Sequence, residues 1–148
     1  MNNKKAYIGL GISGQDLTEA KKKAEAAKVY LTGLGYDAKT PFDIVPNSIT
    51  DKIYDYEQKL NGINRIDERI RIQKKIDVLW AKAMGKCLEY LVTCGLVYLL
   101  HGWTKSKGAT IEGHTAVLFN IRCETEGSME DITIEDLKTK KVLGHVAV

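Results

Sequence analysis

Leu96-Val97-Tyr98-Leu99-Leu100, running on into His101-Gly102-Trp103-Thr104-Lys105-Ser106-Lys107-Gly108-Ala109-Thr110-Ile111-Glu112, is the stretch on which the fold turns. Its first five residues are apolar without alternation and rich in β-formers, the pattern of a strand buried on both faces of a parallel sheet. His101 to Gly108 reads as a loop, Ala109 to Leu118 as a helix and Asn120 to Cys123 as a short strand. Upstream, a long helical pattern runs from about Ile66 to Val92. It carries Ile66, Ile70, Ile76, Leu79, Trp80, Ala83, Cys87, Leu88 and Leu91 on one side. Arg65, Glu68, Arg69, Arg71, Lys74 and Lys75 lie on the other, a solvated face.

Ile49 to Leu60 reads as a shorter helix closed by Asn61-Gly62, and Thr40-Pro41-Phe42-Asp43 as a loop. Lys5 to Leu10 and Tyr36 to Lys39 read as strands on either side of a helix from Asp16. The apolar positions Leu17, Ala20, Ala24, Ala27 and Leu31 set that helix's inner face, and Gly33 and Gly35 stop it. Thr133 to Lys140, with Thr133 as cap and Asp136 at the third position, reads as a helix, and Val142 to Val148 as a last strand. This alternation of strands and helices predicts an open parallel α/β sheet with helices on both faces.

The chain has 148 residues, which predicts one domain spanning 1–148. At 44% hydrophobic and 28% charged residues it has an ordinary globular composition, so long disorder is not expected before the C-terminus. A net charge of +3 is too weak to mark a nucleic-acid binder. No apolar run is long enough to span a bilayer, and the N-terminus shows no signal-peptide pattern, so no membrane partner is expected and the cytoplasm is the expected compartment. Cys87, Cys94 and Cys123 lack Cys-x-x-Cys spacing and read as buried small hydrophobes. His101, His114 and His145 share no ligand spacing, so neither a metal nor another cofactor is expected.

Ligands of open parallel sheets bind outside the carboxyl ends of the strands, which selects two loops. In Gly9-Leu10-Gly11-Ile12-Ser13-Gly14-Gln15-Asp16, glycines let the backbone approach a ligand, and the free N–H groups of the next helix suit an anion. Its spacing is neither a dinucleotide fingerprint nor a Walker loop, and the simpler reading is a tight turn. In the second loop Trp103 can stack on a base or sugar. Ser106 can hold a phosphate or hydroxyls, with Lys105 and Lys107 beside it, and His101 is placed to touch a ligand. Glu112, expected in the first helical turn where the dipole favours the ionised form, can act as nucleophile at an anomeric carbon. It reads equally as a solvent-facing carboxylate.

Trp103-x-x-Ser106-x-Gly108-Ala109-x-x-Glu112 after an apolar strand resembles the nucleoside 2-deoxyribosyltransferase-like superfamily, most of all its small uncharacterised bacterial and phage branch. Tyr7-Ile8-x-x-x-Ile12-Ser13-Gly14, Gly35-Tyr36 and Thr40-Pro41-Phe42 match the same branch. The resemblance covers residues 5–123 and leaves 124–148 as an extension. It implies a flavodoxin-like (Rossmann-like) fold and a nucleoside or nucleotide pocket lined by Gly11, Ile12, Ser13, Gly14, His101, Trp103, Ser106, Gly108 and Ala109. It implies Glu112 as the nucleophile of hydrolysis or deoxyribosyl transfer at an N-glycosidic bond, Ser106 as phosphate holder, and a homodimer.

Two departures bear on the chemistry. Cys87 stands where active relatives carry an aspartate that protonates the leaving base, and Gly95 where they carry a second one. Loss of a general acid costs about a hundredfold or more in rate. The alternatives are therefore a non-catalytic module that senses or sequesters a nucleotide, and a structural oligomer with a relict pocket.

Overall fold

In a computed structural model, residues 3–10 and 16–126 are described. The expected helix at 133–140 and strand at 142–148 lie outside them, as do Gly11, Ile12, Ser13 and Gly14. Four strands, β1 (Lys5–Gly9), β2 (Asp37–Lys39), β3 (Leu96–Leu99) and β4 (Arg122–Thr125), form one sheet in the order β2-β1-β3-β4. Every pairing is parallel, with Ala6 opposite both Ala38 and Leu96, and Val97 opposite Cys123. The architecture is that of a flavodoxin-like or Rossmann-like open sheet. The chain winds from β1 outward to β2, then crosses back to β3 on the other side, so the topological switch point falls between β1 and β3.

Successive strand residues point to opposite faces, and both faces are covered. Ala6, Ile8, Leu10, Leu96, Tyr98 and Leu100 meet Ala20, Ala24, Ala27 and Leu31 of α1 (Leu17–Gly33). Tyr7, Val97, Leu99 and Cys123 face the opposite layer, made by α4 (Ile66–Leu91) and α5 (Lys107–Leu118). The small alanines of α1 let it lie close to the strands. Asp16 caps α1 by accepting from the N–H groups of Thr18 (2.8 Å) and Glu19 (3.4 Å). Gly35, at φ +92°, ends it, with the Tyr36 N–H returning to the Leu31 carbonyl at 3.0 Å. Gly33 is simply its last residue, and Leu17 is exposed.

Residues 40–43 are not a loop. Pro41–Ile44 forms a short helix, α2, because Pro41 supplies a preset φ at the first helical position. The Asp43 carboxylate reaches back to accept from the Thr40 N–H at 3.0 Å. The following α3 (Asn47–Asn61) packs on the N-terminal half of α4 through Ile53, Ile72 and Ile76. Here too the expected face shifts: Ile66 and Ile70 are exposed, and Ile72 takes the buried position about 200° around the helix from Ile70. The C-terminal half of α4 enters the sheet core through Ala83, Cys87 and Leu91. Cys87, Cys94 and Cys123 are all buried. Tyr56 packs into the α3–α4 hairpin, whereas Tyr54 stays exposed. No helix among the described residues is long and apolar enough to cross a membrane.

Gly95 closes the turn between α4 and β3, where the N-terminal end of the chain crosses it. A side chain there would overlap the Asn3 carbonyl oxygen and come within 2.9 Å of Asn3 Cβ. Asn3 is itself tied down, its amide donating to the Thr93 carbonyl at 2.9 Å. Gly95→Ala is therefore expected to destabilise the fold by about 1–3 kcal/mol. Denaturant unfolding should show a lower midpoint with an unchanged slope.

Candidate functional site

The chain leaves β3 through Leu100, whose N–H donates to the Gly9 carbonyl at 2.9 Å and so ties together the carboxyl ends of β1 and β3. It then turns at Gly102, forms a 3-10 turn over Trp103–Lys105, and enters α5. Ser106 is the N-cap: its Oγ accepts from the Ala109 N–H at 3.2 Å. The Thr110 hydroxyl donates to the Ser106 carbonyl at 2.6 Å and seals the first turn.

This cap starts α5 at Lys107, two residues before the expected start, so Glu112 lies in the second turn. The expectation that the helix dipole keeps it ionised is thereby corrected, since that effect fades beyond the first turn. Nor does Glu112 face solvent. With Ala109, Gly113 and Ala116 it forms the buried face of α5, and it is only 3% exposed.

The Glu112 carboxyl accepts a short hydrogen bond from the phenol of Tyr7, which is itself fully buried in β1. It also lies over Gly9. A Cβ on Gly9 would stand 3.2 Å from Glu112 Oε1 and 2.6 Å from Leu99 Cδ2, so glycine leaves the room the carboxyl occupies. Burial pushes the Glu112 pKa up to about 8, against the opposing pull of the Tyr7 hydrogen bond. Burial likewise raises Tyr7 well above the ordinary tyrosine range, with the Glu112 charge acting the same way. The Cys87 thiol, on α4 beside the same phenol, is pushed to about 11, first by burial. At neutral pH the ligand-free cluster thus holds a protonated carboxyl, a phenol and a thiol at the carboxyl end of β1.

The other expected site residues divide by what their side chains do. Trp103 is buried in the core between sheet, α4 and α5, its ring 3.4 Å from where a side chain on Gly113 would begin. Packing on this side makes its ring a wall of the core. Gly108 lets α5 approach α4, since a side chain there would meet Met84 Cε at 2.9 Å. Ala109 is buried in the same seam. Ser106 is occupied as a cap but keeps a hydroxyl proton to donate. The His101 side chain is exposed, and its backbone N–H donates to Glu126 Oε1 at 3.0 Å.

Tyr7 belongs to the N-terminal motif, but motif reading gives it no part in the site. Its signal is that a phenol in a strand covered on both faces must find a buried acceptor. No group of three or more His, Cys, Asp or Glu among the described residues is arranged to hold a metal.

Residues 4–123 match the family model described as Domain of unknown function (DUF4406), and the chain belongs to that family. No curated protein and no solved structure gave a match.

The buried carboxyl makes stability depend on pH with a definite sign. The unfolded chain loses this proton near 4.5, whereas the fold holds it to about 8, so stability falls as pH rises through that window. Glu112→Gln should therefore unfold at a higher temperature than the parent at pH 8, the two converging near pH 4.5. Tyr7→Phe strips the carboxyl of its partner, and thermal unfolding should show a loss of about 1–3 kcal/mol.

Proposed function

We propose that the protein binds a nucleoside or nucleotide at the carboxyl edge of β1 and β3 and cleaves or transfers at its N-glycosidic bond, with Glu112 as nucleophile. The observation that carries this reading is a buried carboxyl, the only one among the described residues, oriented by Tyr7 at the switch point of an open parallel sheet. Ligands of such sheets bind at that crevice. A carboxylate held there by a phenol through one oxygen leaves the other as the nucleophile. Attack forms a glycosyl ester on Glu112 as the base departs. Water or an acceptor nucleoside then releases the sugar.

The resemblance to the deoxyribosyltransferase-like superfamily supports the same assignment, with the spare proton of Ser106 available to a phosphate or sugar oxygen. A homodimer acting in the cytoplasm accompanies it, and light scattering that returned a monomer would remove the dimer.

A nucleophile must be ionised. The value of about 8 for Glu112 therefore sets a rising limb on the rate. Its kcat/KM for base release should climb about tenfold per pH unit below that value and level above it. Glu112→Ala should abolish base release. The parent should show a thermal shift equivalent to about 2.7 kcal/mol with ligand at a hundred times its Kd.

Protonated Glu112 and a thiol at Cys87 in place of a carboxylic acid favour one second reading, a non-catalytic nucleotide binder. A thermal shift without base release at any pH supports that binder. The absence of any shift across nucleosides, deoxynucleoside monophosphates and ribose phosphates contradicts both readings.

A further inference from the structure

We propose that the substrates are N-glycosides whose base carries a fixed positive charge, such as pyridinium or N7-alkylpurinium ribosides, rather than ordinary neutral nucleosides. The inference rests on the base-release reading and deepens it by naming the leaving group.

An ordinary base leaves as an anion unless a neighbouring acid protonates it, and that proton contributes about a hundredfold or more. Among the described residues, the candidates around Glu112 do not supply it. The titratable groups facing the carboxyl are Tyr7 from β1 and Cys87 from α4, while β3 presents Leu99 and α5 presents Gly113 and Ala116. The Tyr7 proton is already committed to Glu112. Cys87, at about 11, is a poor acid. Glu89 is exposed on α4, two residues and so about 200° around the helix from Cys87. His101 projects into solvent.

A cationic base removes the requirement. As Glu112 attacks C1′, the electron pair of the C1′–N bond returns to the ring nitrogen and cancels its charge, so the base departs neutral with no proton transferred. Water then attacks C1′, the C1′–O bond to Glu112 breaks, and one proton passes to solvent. The balance is glycoside cation plus water giving sugar, neutral base and a proton.

The electrostatics point the same way. Among the described residues, the charges acting on buried Tyr7 and Cys87 are those of Glu112 and, for Tyr7, also of Cys87, and none is a cation. A buried carboxyl without a counter-ion is costly when ionised, and a cationic ligand beside it supplies the counter-ion. Binding should then draw the proton off Glu112, preparing the nucleophile with the substrate that suits it.

The test measures free base released by the full-length protein at about pH 6.5, where 7-methylguanosine keeps its N1 proton and net charge, from nicotinamide riboside and 7-methylguanosine. The neutral comparison substrates are guanosine and inosine, and each compound is also offered as its 5′-monophosphate. Glu112→Gln gives the background. We expect kcat/KM at least a hundredfold higher for the cationic members. Cys87→Asp, which restores a carboxylic acid beside the site, should narrow that gap at least tenfold by raising guanosine turnover. Cys87→Ser, close in size but no acid, should leave it unchanged.

Should Cys87→Asp fail to fold, the comparison on the parent protein still decides. Guanosine cleaved within tenfold of 7-methylguanosine overturns the inference while leaving the base-release reading intact. No release from any member, at any pH, overturns both.

Discussion

One hydrogen bond organises this molecule: the Tyr7 phenol donating to the Glu112 carboxyl beneath α5. A carboxyl buried without a partner costs several kcal/mol, so the elements around it are arranged to supply one. β1 lies between β2 and β3, which places Tyr7 in the interior. Gly9 carries no side chain, which leaves the volume the carboxyl fills. The Ser106 cap fixes where α5 begins, and with it the rotation that turns Glu112 inward. Move any of the three and the proton on Glu112 has no defined place.

The overall architecture was legible because it follows from burial. The unalternating Leu96 to Leu100 announced a doubly covered strand, and the alanine spacing at positions 20, 24 and 27 announced the helix that covers one side. What misled was local chemistry read without its tertiary setting. Thr40 to Asp43 looks like a loop until the Asp43 carboxylate is seen to close a helical turn on Thr40. Ile66 and Ile70 belong by type to an apolar face, yet α3 meets α4 at Ile72 and Ile76, and that contact decides the face.

The candidate site was legible in part. Glu112 stood out by spacing, but its protonation depends on neighbours from β1 and α4 that lie far away in sequence. The dipole argument failed because helix starts are set by caps, and Ser106 moves this one forward. Most of the Trp103 to Glu112 signature is accounted for by packing: Trp103 in the core, Ser106 as cap, Gly108 against Met84, Ala109 in the seam. One member of the pattern, Glu112, brings a titratable group to the crevice. The same logic accounts for Gly95, where close passage of Asn3 leaves no room for the side chain the resemblance would call for.

Glu112 holds its proton at neutral pH and gives it up near 8. Carbon-13 NMR of the glutamate side-chain carboxyls, with the Glu112 resonance assigned by its loss in Glu112→Gln, reads that proton directly. The expected titration midpoint lies near 8 in the ligand-free protein, set apart from the exposed glutamates. A midpoint in the ordinary carboxylate range, near 4.5, would mean that the carboxyl is solvated and ionised, and would contradict it.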